Sequence, residues 1–242
     1  MTEAFSTFQG DALKHLSTFA DNSFDALISD PPYSSGGQFR SDRAQATGAK
    51  YTQTGPKAKT FADFPGDNRD GRSFQYWMTL ILSECFRVTK PGAPICLFTD
   101  WRQLPTMSDA LQAAGFVWRG VYVWDKTLAA RPRKGYFRQQ AEFVVWGSKG
   151  ALPAKPDALA LPGLTTCSVQ KGGRFHQTGK PVELMKQIVK ICEPGGLVLD
   201  PFMGSGSTGV ACAETGRRFS GIEYTEHYHS VAVERLQEAF KV

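Results

Sequence analysis

Residues 197–209 read LVLDPFMGSGSTG, an apolar run that passes through an acid and a proline into a glycine-rich turn. Gly204, Gly206 and Gly209 have the GxGxxG spacing with which nucleotide-binding folds join a strand to a helix. Glu223 follows Gly204 by 19 positions, at the end of the next apolar run, where an acid accepts hydrogen bonds from ribose hydroxyls. The stretch therefore predicts a nucleotide site rather than a plain turn.

The position of this unit in the chain restricts the fold further. After Glu223 there is room for one helix, over 226–240, and a dehydrogenase with its fingerprint here would lack the rest of its cofactor-binding sheet. The other strands are therefore expected upstream, in a circularly permuted order. The strand that enters Gly10 would then lie beside the strand that ends at Glu223. Asp11 is a candidate contact for the cofactor's adenine or, equally, a helix N-cap.

Apolar runs and amphipathic segments alternate along the rest of the chain. Predicted strands lie at 24–29, 93–99, 117–124, 142–146, 197–200 and 218–222. Helical spacing marks 74–88 and 181–192, the second with a proline at its first position. This alternation predicts an α/β fold with a mostly parallel sheet, as a single domain over 1–242. Two stretches rich in glycine, proline and basic residues, 34–72 and 150–175, are predicted to be long loops, which are often functional.

The composition is that of a soluble globular protein. The chain of 242 residues is 41% hydrophobic and 21% charged, and no apolar run approaches the roughly 20 residues that span a bilayer. Its first residues do not resemble a signal peptide, and five scattered cysteines favour free thiols in a reducing cytoplasm. The histidines of the last helix have no cysteine or acid cluster nearby, so no metal site is predicted. A net charge of +5 permits a nucleic-acid partner without requiring one.

Asp30-Pro31-Pro32-Tyr33 directly follows the apolar run 24–29, so it is expected at the carboxyl end of the sheet, where α/β folds bind ligands. The stiff prolines would hold carbonyl oxygens in fixed positions beside a carboxylate. Together the Asp30 carboxylate and the Pro31 carbonyl would hold both N–H groups of an aromatic amine and direct its lone pair at an electrophile. Tyr33 would stack on the ring that carries the amine. The alternative is a turn that ends the strand, since Asp-Pro starts many turns.

These motifs, in this order, resemble the β-class of DNA amino-methyltransferases, in which the catalytic motif precedes the cofactor motif. The resemblance extends over nearly the whole chain. Residues 10–13 are similar to the family's adenine-contacting turn and 87–92 to the helix end before its fifth strand. Residues 124–126 and 135–138, with Glu142 and Phe143, are similar to its catalytic-loop region. Residues 176–181, HQTGKP, are similar to the motif that contacts the methionine carboxylate.

The resemblance implies a Rossmann-like methyltransferase that uses S-adenosylmethionine and acts on double-stranded DNA. It further implies a bacterial or phage origin, a cytoplasmic location, a link to restriction–modification, and a monomer or homodimer. Asp30, Pro31, Pro32 and Tyr33 would hold the flipped base. The implied cofactor contacts are Asp11, Ala12, Asp30, His176, Thr178, Lys180, Asp200, Pro201, Phe202, Gly204, Gly206, Ser207, Thr208, Glu223 and Tyr224. A side chain at Gly206 is expected to intrude on the methionine end of the cofactor.

The stretch 126–138 is basic and lies between two strands of the catalytic half, which favours contact with DNA phosphates over a solvated loop. Its candidate DNA-binding residues are Lys126, Arg131, Arg133, Lys134 and Arg138.

One departure from the family concerns target recognition. Many members carry a substantial insert where this chain has only 150–175, so its sequence preference is predicted to be short, relaxed or absent, with 34–72 sharing the task. Asp30 favours the N6 amine of adenine, because the family's N4-cytosine enzymes more often have serine there. The alternatives are N4-cytosine methylation, methylation of another planar amine such as a protein amide, and a non-catalytic DNA-binding protein on the same fold.

Overall fold

The computed structural model describes residues 3–33, 69–130, 134–155, 158–169 and 179–241. Within them, eight strands form one sheet in the order β1-β8-β7-β2-β3-β5-β4-β6. Their bounds are β1 Phe5–Gln9, β2 Ala26–Ser29, β3 Pro94–Thr99, β4 Val117–Asp125, β5 Ala141–Ser148, β6 Leu164–Thr166, β7 Leu197–Asp200 and β8 Arg218–Glu223. All neighbouring pairs are parallel except those of β5, which runs antiparallel to β3 and to β4. The predicted α/β fold with a mostly parallel sheet is confirmed.

Helices cover both faces of this sheet. They are α1 Ala12–Leu16, α2 Gly71–Val88, α3 Leu104–Ala113, α4 Val182–Ile188 with a 3-10 turn over Val189–Ile191, α5 Ser207–Glu214 and α6 Glu226–Ala239. Successive strand residues point to opposite faces, so each strand supplies both layers of the core. In β2, Leu27 packs with α1, α2 and α3, whereas Ile28 packs with α4, α5 and α6. This double burial explains why the central strands are continuous apolar runs.

The circularly permuted order is also confirmed. β1 pairs with β8 in parallel, with Gln9 opposite Glu223, so the first strand of the chain extends the unit that carries the glycine loop. On the other side of that unit β7 pairs with β2, with Leu27 opposite Leu199. The sheet therefore reverses its strand order between β2 and β7, the point at which open α/β sheets bind ligands.

The two predicted loops differ from expectation where the structure describes them. Helix α2 begins at Gly71, inside the predicted loop 34–72, because the Asp70 carboxylate accepts a hydrogen bond from Ser73 N at 2.9 Å and caps the helix. Residues 34–68 of that loop lie outside the described residues. The predicted loop 150–175 contains the short strand β6, which pairs with β4 at the border of the sheet. Among the described residues, no helix is both long and apolar enough to cross a membrane.

Gly209 permits the close packing of α5 against the sheet. A Cβ built there would lie 2.4 Å from Leu236 Cδ2 and 2.7 Å from Phe219 Cδ1. The third glycine of the motif is therefore explained by contact between helix and strand, as the fingerprint predicts.

We expect Gly209→Ala to destabilise the protein by about 1–3 kcal/mol, because the added methyl overpacks the contact with Leu236 and Phe219. Helix propensity alone would favour alanine by about 1 kcal/mol, so the sign of the effect tests the packing directly. Gly71→Ala is the matched control, since a Cβ at this helical position meets nothing within 4 Å. Urea unfolding measures both; a Gly209→Ala midpoint at or above that of the wild type would contradict the packing explanation.

Candidate active site

Three acids lie at the carboxyl ends of strands at one edge of the sheet. Asp30 follows β2, Asp200 ends β7 and Glu223 ends β8. All three are largely buried, and burial raises the pKa of each carboxyl group. Such a group of perturbed acids in the crevice of an α/β sheet is typical of a functional site.

Glu223 fixes the glycine loop by accepting a hydrogen bond from its backbone. Its Oε2 accepts a hydrogen bond from Gly204 N at 3.0 Å, and its Oε1 accepts one from Thr225 N at 2.8 Å. Gly204 and Gly206 have φ of 52° and 82°, the left-handed region that favours glycine, and Gly206 precedes the first residue of α5. A carboxylate oxygen has two lone pairs, so Glu223 keeps the capacity to accept hydroxyl donors from a ligand.

The fold itself favours glycine at position 206. A Cβ there would lie against α6, 3.2 Å from Ala232 Cβ and 3.6 Å from Leu236 Cγ. The positive φ and the contact with α6 together account for Gly206. The expectation that a side chain would also intrude on the methionine end of the cofactor stays a prediction.

Asp200 joins the loop to the neighbouring strand. Its Oδ1 accepts hydrogen bonds from Ser29 Oγ at 2.6 Å and Phe202 N at 3.1 Å, and its Oδ2 accepts one from Thr208 Oγ1 at 2.6 Å. Burial raises the pKa of Asp200 to about 6, although these donors favour the charged form. The prediction made Asp200 and Thr208 cofactor contacts; in the structure they bond each other and fix the turn between β7 and α5.

Asp30 has two unequal oxygens. Its Oδ2 accepts a hydrogen bond from Lys180 Nζ at 2.6 Å, while its Oδ1 is buried and has no hydrogen-bond partner among the described residues. Burial raises the pKa of Asp30 to about 6; the Lys180 charge opposes this rise, and Glu142 and Asp200 add to it. A buried, unsatisfied acceptor is costly unless something donates to it, which marks Oδ1 as the place for a donor from a substrate.

Lys180 is paired with two acids of the fold. The sequence assigns it to the methionine carboxylate of the cofactor, but its ammonium is paired with Asp30 and, at 3.0 Å, with Glu142 Oε1. The Lys180 side chain is only 6% exposed, and a cation at that depth requires charge partners from the fold itself. Its Nζ also lies 5.0 Å from the ring centroid of Phe98. His176 and Thr178, predicted from the same motif, lie outside the described residues.

Glu142 is a buried acid beside Lys180 and Tyr33, and the sequence motifs assign it no role of its own. It is the second residue of β5, is buried, and accepts a hydrogen bond from Tyr33 Oη at 2.9 Å. Burial would raise the pKa of Glu142, but Lys180, Lys126 and the hydrogen bonds from Lys180 and Tyr33 hold it below the usual value. The sequence feature that could have identified Glu142 is an acid at the start of an otherwise apolar strand.

The remaining cofactor candidates divide between helix ends and the loop. Asp11 caps α1 by accepting a hydrogen bond from Lys14 N at 3.1 Å, the alternative that the sequence left open. Ala12 is buried in the core, whereas Tyr224 is exposed just beyond β8. Phe202 packs edge-on to Trp77 at 5.5 Å between ring centroids. The other candidates lie on the loop and the first turn of α5, namely Pro201, Gly204, Gly206, Ser207 and Thr208.

The basic stretch does not present all its charges to solvent. Lys126 points inward and lies 3.4 Å from Glu142 Oε2, which corrects its assignment to a DNA phosphate. Arg138 donates to the carbonyls of Leu128 and Ala130 at 2.5 and 2.8 Å and so ties the stretch to itself. Lys134 is exposed, as predicted for a phosphate contact. Arg131 and Arg133 lie outside the described residues.

The residues at this edge suit S-adenosylmethionine. Glu223 can accept ribose hydroxyls beside a glycine loop, and acids at the ends of β2 and β7 suit a ligand that carries a sulfonium and an ammonium. Asp30 Oδ1 remains for a donor on the adjacent substrate. The donor and acceptor set therefore fits the cofactor that the resemblance implies.

Comparison with known proteins gives one consistent result. A family model described as DNA methylase matches residues 24–234. The chain is 32% identical over 229 residues to YubD of Escherichia coli (strain K12), which carries the name of a methylase, with 94% of this chain and 88% of that protein covered. It is 29% identical to Type II methyltransferase M2.DpnII of Streptococcus pneumoniae, with 94% and 87% covered.

Solved structures share the fold. M1.HpyAVI aligns with a TM-score of 0.66 at 25% identity, over 96% of this chain and 98% of that one. The cytosine-N4-specific PvuII DNA methyltransferase aligns with a TM-score of 0.70 at 16% identity, over 98% and 93% of the two chains, which shows likeness of fold.

We expect Glu223→Ala to weaken binding of S-adenosylmethionine about ten- to a hundredfold, because charged hydrogen bonds of this kind contribute about 1.5–3 kcal/mol. Isothermal titration calorimetry measures the affinity, and Glu226→Ala, at an exposed acid three positions on, is the matched control. Wild-type affinity in Glu223→Ala would show that the glycine loop has been assigned to the wrong ligand.

Proposed function

The chain belongs to the DNA methylase family, and from that membership we propose that it transfers the methyl group of S-adenosylmethionine to the N6 amine of adenine in DNA. Family membership supports a methyltransferase that acts on DNA, without specifying the base. The choice of adenine rests on Asp30, because an aspartate at this position favours adenine in the β-class of DNA amino-methyltransferases that the chain resembles. The names of two relatives, Type II methyltransferases M.HinfI and M2.DpnII, support a place in restriction–modification.

The observation that carries the proposal is the state of the Asp30 carboxylate. One oxygen is occupied by Lys180 at 2.6 Å and the other is buried without a partner among the described residues, at the carboxyl end of β2 and beside the glycine loop. An acceptor amine that donates one N–H to Oδ1 and the other to the Pro31 carbonyl would have its lone pair directed out of the ring plane. Preorganised acceptors of this kind stabilise the charge that develops on the nitrogen during transfer.

The cofactor supplies a methyl group on a positively charged sulfur, which is an excellent leaving group. The protein therefore needs mainly to align acceptor and donor and to exclude water. The hydrogen bonds of Asp200 to Ser29 and Thr208 serve alignment, because they fix the end of β2 relative to the glycine loop.

An adenine amine within a duplex is out of reach, so the base must be flipped into the site at a cost of a few kcal/mol. We propose that Tyr33 stacks on the flipped base. Two contacts that fix its ring support this: packing against the core formed with α1, α2 and α3, and the hydrogen bond from its hydroxyl to Glu142. The exposed Lys134 and the two arginines before it are proposed to hold the phosphates of double-stranded DNA.

The proposal is tested by transfer of radiolabelled methyl from S-adenosylmethionine to unmethylated genomic DNA, followed by nucleoside separation. We expect label in N6-methyldeoxyadenosine, and none with Asp30→Ala, whose fold and cofactor affinity are checked by circular dichroism and calorimetry. Label in N4-methyldeoxycytidine would overturn the choice of adenine, and label in protein alone would overturn DNA as the substrate.

Two substitutions at Tyr33 should separate its ring from its hydroxyl. Tyr33→Phe keeps the stacking face and loses one hydrogen bond to Glu142, whereas Tyr33→Ala also loses base stacking of about 1–3 kcal/mol. We therefore expect Tyr33→Phe to retain much of the activity and Tyr33→Ala to retain little, measured as kcat/KM on one duplex. Equal losses would assign the role of Tyr33 to its hydroxyl.

Replacing Arg131, Arg133 and Lys134 together by alanine should weaken binding of all DNA sequences alike. For every phosphate that the protein no longer neutralises, the slope of log affinity against log salt should fall by about one unit. Binding is measured by fluorescence anisotropy over a salt series, with Lys241→Ala, at an exposed lysine just after the last helix, as control. An unchanged slope would assign the phosphate contacts to the stretch 34–72 instead.

A further inference from the structure

A buried cation joins the two acids that surround the acceptor position. The Lys180 ammonium lies 2.6 Å from Asp30 Oδ2 and 3.0 Å from Glu142 Oε1, and all three side chains are largely shielded from solvent. Lys126 lies 3.4 Å from the other oxygen of Glu142. The four groups are therefore two acids and two bases whose formal charges cancel, which makes their burial tolerable.

Within this cluster Lys180 decides which oxygen of Asp30 can act. A short bond to Oδ2 fixes the plane of the carboxylate and leaves Oδ1, which is buried and has no partner among the described residues, as the free acceptor. The Lys180 charge also favours the ionised form of Asp30. In that form Oδ1 carries no proton, so it can accept a hydrogen bond from an amine.

Glu142 links the same cation to the residue proposed to stack on the base. Its Oε1 receives both the Lys180 ammonium at 3.0 Å and the Tyr33 hydroxyl at 2.9 Å. The Tyr33 ring centroid lies 5.6 Å from Lys180 Nζ. Movement of any one of the three side chains would therefore disturb the other two.

We propose that Lys180 and Glu142 are positioning residues for methyl transfer. Lys180 holds Asp30 ionised with Oδ1 toward the acceptor amine, and Glu142 holds the side chains of Lys180 and Tyr33 in position. The inference rests on the proposed function and assigns Lys180 to the acceptor side of the site rather than to the methionine carboxylate.

The cluster also accounts for the proton that the reaction releases. When the amine lone pair has bonded to the methyl carbon, and the carbon–sulfur bond pair has left with sulfur, the nitrogen carries a positive charge and one proton too many. Asp30 Oδ1 accepts that proton, and the product amine is neutral. Asp30 then returns the proton to solvent when the product leaves.

The pH dependence gives the two residues opposite signatures. Transfer requires ionised Asp30, so activity is present above the Asp30 pKa, which burial raises to about 6, and is lost as the pH falls through it. The Lys180 charge lowers that pKa, while Glu142 and Asp200 raise it. The acid limb of the pH–rate profile is the range in which activity falls as the pH falls. Removing the Lys180 charge should therefore move this acid limb to higher pH, and removing the Glu142 charge should move it to lower pH.

The experiment compares Lys180→Met, Lys180→Arg and Glu142→Gln with the wild type in single-turnover methyl transfer at saturating cofactor and DNA. We expect the acid limb of Lys180→Met to rise by about one pH unit or more, with Lys180→Arg closer to the wild type. Glu142→Gln, which keeps an acceptor for Tyr33, should shift the limb downward. Lys186→Met is the matched control, because this α4 lysine is paired with Glu183 and Glu214 at the surface.

A second measurement separates this inference from the motif-based alternative. Calorimetry should show that Lys180→Met binds S-adenosylmethionine within about threefold of the wild type, since Lys180 contacts acids of the acceptor side. A tenfold or greater loss of affinity for S-adenosylmethionine would indicate that Lys180 contacts the cofactor and would overturn the proposal. Acid limbs that shift together or not at all, in a wild type that does methylate DNA, would overturn it while leaving the proposed function standing.

Discussion

The parallel pairing of β7 with β2 brings the two functional motifs of this chain to one place. Leu27 lies opposite Leu199, and at the end of β2 Ser29 donates a hydrogen bond to Asp200 at 2.6 Å. The strand order of the sheet reverses here, so the loops that follow the two strands diverge and open a crevice between them. Residues 30–33 and the glycine loop, far apart in sequence, occupy its two sides.

The framework of this arrangement could be predicted because each central strand is buried on both faces and reads as an apolar run. The elements that escaped prediction lack such a signal. Strand β6 has only three residues, LTT, and its pairing with β4 is decided by the neighbouring strand rather than by its own pattern. Helix α3 was also missed, since it begins after Gln103 without a side-chain cap.

Residue types in the site could be predicted better than their partners. The motif around Lys180 indicated a functional lysine. Because this side chain is only 6% exposed, it needs a charged partner, and the tertiary fold decides which carboxylates lie near it. Glu142 reaches it from β5, a strand that the sequence connects to no cofactor motif. For Gly206 the sequence predicts a glycine turn, while the packing against Ala232 that also requires glycine depends on the last helix.

The three hydrogen bonds of Asp200 have a thermodynamic consequence. One carboxylate accepts from Ser29 on the strand that leads to the acceptor site and from Thr208 on the helix that follows the glycine loop. If a ligand at the loop shifts this carboxylate, the end of β2 shifts with it, and coupling of this kind is reciprocal by linkage. DNA seated at Asp30 would then change the affinity for the methyl donor by the same factor as the donor changes the affinity for DNA.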